Sequence, residues 1–103
     1  KDLIISGGEN IHPAEIEAPL SEHPDVLECC AFGVPDPAWG EAVTVAVVLR
    51  PGAQVADDEL RDHLAARLAR FKLPRHWLRL EALPKTALGK VQRQSLARLC
   101  ERA

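Results

Sequence analysis

The stretch Ala42-Val43-Thr44-Val45-Ala46-Val47-Val48-Leu49 constrains this chain more than any other. It is small or β-branched at nearly every position and shows no polar alternation, so it predicts a strand buried on both faces, at the centre of a sheet. Pro51-Gly52 closes it. A chain of 103 residues has room for a single core. The other elements must therefore pack around this strand.

Their signals follow in order. Leu3-Ile4-Ile5-Ser6 reads as a short strand, Gly7-Gly8 as a turn, and Glu9-Asn10-Ile11 as an antiparallel return. Pro13 suits a first helical position, with Glu15 and Glu17 in the first turn and Ile16 and Leu20 on one face. Pro19 predicts a kink or an early stop, because it removes a hydrogen bond and crowds the Glu15 carbonyl. Val26 to Val34 is β-prone and is closed by Pro35-Asp36-Pro37. Asp57-Asp58-Glu59 predicts an N-cap and an acidic first turn. Leu60, Leu64 and Leu68 repeat at four-residue spacing, and Arg67, Arg70 and Lys72 supply the charge favoured at a helix C-terminus. His76 to Leu80 reads as a strand, 84–89 as a loop, and Val91 to Cys100 as a last helix. The order β-β-α-β-β-α-β-α predicts an α+β domain: a small three-stranded antiparallel sheet with flanking helices plus an N-terminal β-hairpin.

Composition removes several function classes. No run of 18 apolar residues is present, so neither a membrane span nor a signal peptide is expected. No Met opens the chain or occurs within it, and a piece of a longer protein is expected. The net charge of −2 argues against a generic nucleic-acid binder, and Trp39, Phe71 and Trp77 form no stripe among basic residues. The charge is asymmetric: residues 1–52 carry two bases against nine acids, and residues 53–103 eleven bases against six acids. A basic second half suits a phosphorylated ligand or an acidic partner, or else solvated helix faces. Cys29, Cys30 and Cys100 offer neither a disulfide framework nor a metal motif, and a cytoplasmic location is expected. His12, His23, His63 and His76 are scattered, and no metal site is expected.

Two loops carry chemistry. In Ser6-Gly7-Gly8-Glu9-Asn10 the paired glycines make a tight hairpin or let backbone approach a ligand closely. In Pro84-Lys85-Thr86-Ala87-Leu88-Gly89-Lys90 a lysine follows a glycine on an exposed loop, from which it can reach a phosphate as a point charge or simply be solvated. Neither loop has the GxxxxGK[ST] pattern of a phosphate loop. Trp39-Gly40 and Phe71-Lys72 place aromatics where they either stack on a ring or anchor loops to the core.

Residues 1–17, Lys-Asp-Leu-Ile-Ile-Ser-Gly-Gly-Glu-Asn-Ile-His-Pro-Ala-Glu-Ile-Glu, resemble the start of the C-terminal domain of adenylate-forming enzymes. That superfamily includes acyl- and aryl-CoA synthetases, luciferases and peptide-synthetase adenylation domains. Gly33-Val34-Pro35-Asp36 with Trp39-Gly40-Glu41, then Phe71-Lys72-Leu73-Pro74, then Leu83 to Val91 agree in the same order. The resemblance covers essentially the whole chain and is nearer to CoA ligases than to peptide-synthetase domains.

It implies a mobile lid, residues 1–103, of an ATP-dependent acid–CoA ligase whose larger N-terminal domain holds the acid pocket and most contacts to ATP/AMP and Mg2+. Lys90 matches the adenylation lysine and Lys1 the hinge. Gly7 and Gly8 match the segment beside the pantetheine tunnel, Trp39 is similar to a tunnel-side residue, and Phe71 and Lys72 match positions that contact the CoA nucleotide. Leu73 stands where some relatives are basic, which leaves Lys72 and Arg75 for a CoA phosphate. The implied partners are the protein's own N-terminal domain, CoA and a carboxylic acid. Loading of a carrier-protein thiol, or a non-catalytic interaction module, are the other readings.

Overall fold

A computed structural model describes residues 2–102 of the chain. The elements are β1 (Ile4–Ser6), β2 (Glu9–Ile11), α1 (Pro13–Leu20), β3 (Val26–Asp36), β4 (Gly40–Leu49), α2 (Asp57–Ala65), a 3-10 turn (Arg70–Lys72), β5 (His76–Arg79) and α3 (Arg93–Arg102). The α+β class and the element order agree with the sequence reading. No helix among the described residues is long and apolar enough to cross a membrane.

β4 is the central strand. It pairs antiparallel with β3 along nearly its whole length and parallel with β5, from Thr44↔His76 to Val47↔Arg79. The hairpin β1–β2 joins the same sheet through the Ser6↔Gly40 pair, which makes five strands. The three-stranded antiparallel expectation therefore needs two corrections, in strand count and in the direction of β5. The reason is the connection: β4 reaches β5 by a crossover through α2, and such a crossover brings the chain back in the same direction.

The Val/Ala run is buried on both faces because each face carries its own core. Val43, Val45 and Val47 pack with Ile4, Ile11, Ile16, Leu20, Leu60 and Leu64 under α1 and α2. Ala46 and Val48 pack with Cys30, Phe32, Leu83 and Leu96 under α3. Thr44, the one polar residue of the run, is fully buried and donates to the Ala42 carbonyl at 3.2 Å.

Local differences have local causes. α1 ends at Leu20, one residue after Pro19, so the early stop is what forms. The N-cap of α2 is Ala56, with no side-chain cap, and the three acids all lie in the first turn. That helix ends at Ala65, not at Lys72. Arg67 and Leu68 both donate to the Leu64 carbonyl, tightening the last turn, and Pro74 holds Leu73 extended at ψ 141°. Arg70 and Lys72 therefore sit on a separate turn. β3 runs two residues beyond Val34, and α3 begins at Arg93 because Val91 pairs with Lys85 instead.

Candidate functional site

The glycine turn, the Pro-rich turn and the start of β5 meet. Asp36 Oδ1 accepts the backbone N–H groups of Ala38 and Trp39 at 2.8 and 3.0 Å, which fixes the turn that presents Trp39. Gly7 donates its N–H to the Trp39 carbonyl at 2.8 Å. A Cβ at position 7 would stand 2.8 Å from Trp39 Cε3, so glycine is what allows the ring to lie against the turn. The Arg75 guanidinium carbon lies 3.8 Å from the centroid of the Trp39 ring, within cation–π range, while the Arg75 backbone is tied to the Val43 carbonyl. Gly8, at φ +83°, has open space where a Cβ would be. Gly7, Trp39 and Arg75 thus form one wall, with Gly8 beside it.

Phe71 is 48% exposed and borders a cleft of about 560 Å3 together with Arg61, Arg70, Arg75 and Trp77. The segment after Phe71 is tied into the fold. The Lys72 ammonium is ion-paired with Glu15 of α1, 5.6 Å from the centroid of the Phe71 ring. Leu73 is only 7% exposed and belongs to the core. The Glu15 carboxyl is held below its ordinary value, first by the Lys72 hydrogen bond and then by the His12 N–H. Arg70, read from the sequence as a helix-end charge, lines the cleft together with Arg61.

Lys90 belongs to a separate region. Lys85 and Val91 pair across a narrow hairpin in which the Thr86 N–H donates to the Lys90 carbonyl and the Lys90 N–H to Thr86 Oγ1, and Gly89 at φ +86° makes the turn. Lys85 is paired with Glu28 at 2.7 Å, a structural tie that accounts for this lysine. Leu88 at the tip is 89% exposed. Lys90 is exposed, and among the described residues no carboxylate forms an ion pair with it. It borders a shallow hollow with Asp2, Glu17, Cys29, Cys30, Val91 and Arg93. None of Gly7, Gly8, Trp39, Phe71 or Arg75 lines that hollow. The fold therefore gathers Gly7, Trp39 and Arg75 and keeps Lys90 apart from them. Lys1, the expected hinge, lies outside the described residues.

The sequence reading missed the centre of the hollow. Arg93 Nη2 donates to Glu17 Oε2 at 2.8 Å and its Nε to the Ala31 carbonyl at 3.2 Å, while Nη1 stands 3.5 Å from Asp2 Oδ2. Glu17 Oε2 also accepts the Ala31 N–H at 2.8 Å. One signal was available: a cation at the first position of a helix opposes the helix dipole, so it calls for a partner elsewhere. The thiols beside it are quiet, since burial pushes Cys30 up to about 12 and raises Cys29 as well.

Among the described residues one trio, His23, Asp25 and Glu59, brings potential metal ligands together. The Asp25 N–H donates to His23 Nδ1 at 3.1 Å, and His23 Nε2 stands 3.5 Å from Glu59 Oε2, which ties the α1–β3 connection to α2.

Comparison with known proteins identifies the family of the chain. The profile of the AMP-binding enzyme C-terminal domain matches residues 15–90. A sulfoacetate–CoA ligase of Cupriavidus necator is 48% identical over 96 residues, covering 93% of this chain and 19% of the relative. A 4-chlorobenzoate–CoA ligase of a Pseudomonas species is also 48% identical, over 92% of this chain and 18% of its own. The crystal structure of apo MatB from Rhodopseudomonas palustris superimposes with a TM-score of 0.93 at 38% identity, over 96% of this chain and 20% of that one. The chain thus spans about a fifth of the length of these relatives.

Proposed function

Because the chain belongs to the family of AMP-binding enzyme C-terminal domains, we propose that it is the mobile lid of an acid–CoA ligase that activates a carboxylate with ATP and passes the acyl group to CoA. The observation that carries this reading is the separation of two stations on one small domain. Lys90 stands exposed on a glycine hairpin with no ion-pair partner among the described residues, and the Gly7–Trp39–Arg75 wall lies elsewhere.

The two half-reactions need different surroundings. When a carboxylate attacks the α-phosphorus of ATP, negative charge gathers on oxygens that are already anionic. An ammonium brought to them lowers that barrier, commonly by about 3–4 kcal/mol for one such contact. Lys90 has the charge, the flexible stem and the freedom from local partners that this role requires. Displacement of AMP by a thiol needs a narrow dry passage instead. Glycine backbone at 7 and 8 leaves room for a slender chain, the face of Trp39 supplies an apolar wall, and Arg75 with the exposed Phe71 suits a nucleotide carrying phosphates. A domain that rotates about the Lys1 position presents each station in turn. Lys72, held by Glu15, would act by keeping Phe71 and its turn in place as much as by touching phosphate. No oxygen-ligand set among the described residues suits Mg2+, and we assign that ion, the acid pocket and most of the ATP site to the rest of the protein.

The test uses the full-length protein. Lys90→Ala should lower adenylate formation by about 100- to 1000-fold, measured as pyrophosphate release, and leave thioester formation from supplied acyl-adenylate within a few-fold of wild type. Equal loss in both half-reactions would refute the assignment.

A further inference from the structure

Lys90 serves a phosphate only if no carboxylate on its own domain captures it. The hollow it borders contains two, Glu17 and Asp2. Both are engaged by the same guanidinium, Glu17 at 2.8 Å and Asp2 at 3.5 Å, while its Nε is fastened to the Ala31 carbonyl. The planar fork of an arginine holds two carboxylates and a carbonyl in fixed directions, whereas a lysine offers one compact point charge. Arg93 also sits where its own helix disfavours positive charge, so helix stability does not account for it. Its position three residues after Lys90 puts both cations on one rim of the hollow.

We propose that Arg93 is a positioning residue whose task is to occupy Glu17 and Asp2 and thereby keep the Lys90 ammonium free; this rests on the role given to Lys90 above. Without Arg93, Glu17 is a half-buried carboxylate whose remaining tie is the Ala31 N–H. Lys90 lines the same hollow, and its long stem makes it a mobile cation available to that carboxylate. The lysine is then held against its own domain, and the fraction able to meet a phosphate falls.

The full-length protein allows a suppressor test that a purely structural role would not satisfy. Arg93→Gln should slow adenylate formation about tenfold, the loss expected if about nine-tenths of the ammonium is captured, and leave thioester formation from supplied adenylate nearly unchanged. Adding Glu17→Gln and Asp2→Asn removes the liberated carboxylates and should restore most of the adenylation rate. If Arg93→Gln does not fold, Arg93→Lys provides the same test: a point charge holds one carboxylate, so adenylation should fall and then recover when Asp2→Asn is added. Failure of the carboxylate replacements to restore the rate, or equal loss of both half-reactions, overturns the proposal while leaving the role of Lys90 standing. A wild-type protein that makes no adenylate with any acid overturns both.

Discussion

Alanine at position 7 probes the contact between the glycine turn and Trp39. Gly7 has φ +59°, and a Cβ there would fall 2.8 Å from Trp39 Cε3 and 3.0 Å from Cζ3. Gly8 has φ +83° and nothing within 4 Å of the corresponding point. The left-handed backbone costs an alanine about 1–2 kcal/mol at either position, partly offset by about 0.4–1 kcal/mol from the stiffer unfolded chain. Gly8→Ala should therefore destabilise by no more than about 1.6 kcal/mol. At position 7 the two carbons would lie well inside the contact distance of about 3.5–4.0 Å, an overlap of the kind that costs about 1–3 kcal/mol more. The ring cannot simply retreat, because Arg75 lies 3.8 Å over it and Asp36 holds its backbone. Urea unfolding of the chain, followed by far-UV circular dichroism, gives both values. Adding Trp39→Ala should reduce the Gly7→Ala penalty to that of Gly8→Ala. Equal stabilities of the two alanine variants with Trp39 intact would refute the argument.

Leu96→Ala should destabilise by about 2–5 kcal/mol, since Leu96 is fully buried and joins α3 to the sheet; a urea midpoint unchanged from wild type would mean that α3 does not pack there. The lowered Glu15 pKa implies a pH dependence of definite sign. Its stabilisation is complete above the unfolded-state value of 4.5 and fades as pH falls through the lower folded value. The stability difference between wild type and Glu15→Gln should thus be constant near neutrality and shrink in acid, and a difference that persists under strongly acidic conditions would contradict the Lys72 pairing. Cys30, raised to about 12 by burial, should resist iodoacetamide in the folded chain and react after unfolding in urea. Mass spectrometry reads this directly, and equal labelling in both states would show the second core to be open.

Elements whose causes are local were legible along the chain. The Ala42–Leu49 strand, the Gly7-Gly8 turn, the start of α1 at Pro13 and its stop after Pro19 follow from propensity and backbone chemistry over a few residues. The Lys90 loop was legible as a glycine-bearing turn. Misreadings fell where distant contacts decide. Leu68, Arg70 and Lys72 continue the spacing of α2, yet the chain must leave the helix early to lay β5 beside β4. Lys72 was read as a helix-end charge, and it pairs with Glu15, 57 residues away.

The order of elements and the double burial of β4 were contained in the amino-acid sequence, because hydrophobic patterning and turn residues act on neighbours. The parallel pairing of β5, the stacking of Arg75 on Trp39 and the Arg93–Glu17–Asp2 cluster were decided only in three dimensions. A charge along the chain carries no label for its partner, and only the packed sheet and helices bring the two close enough for their attraction to outweigh water.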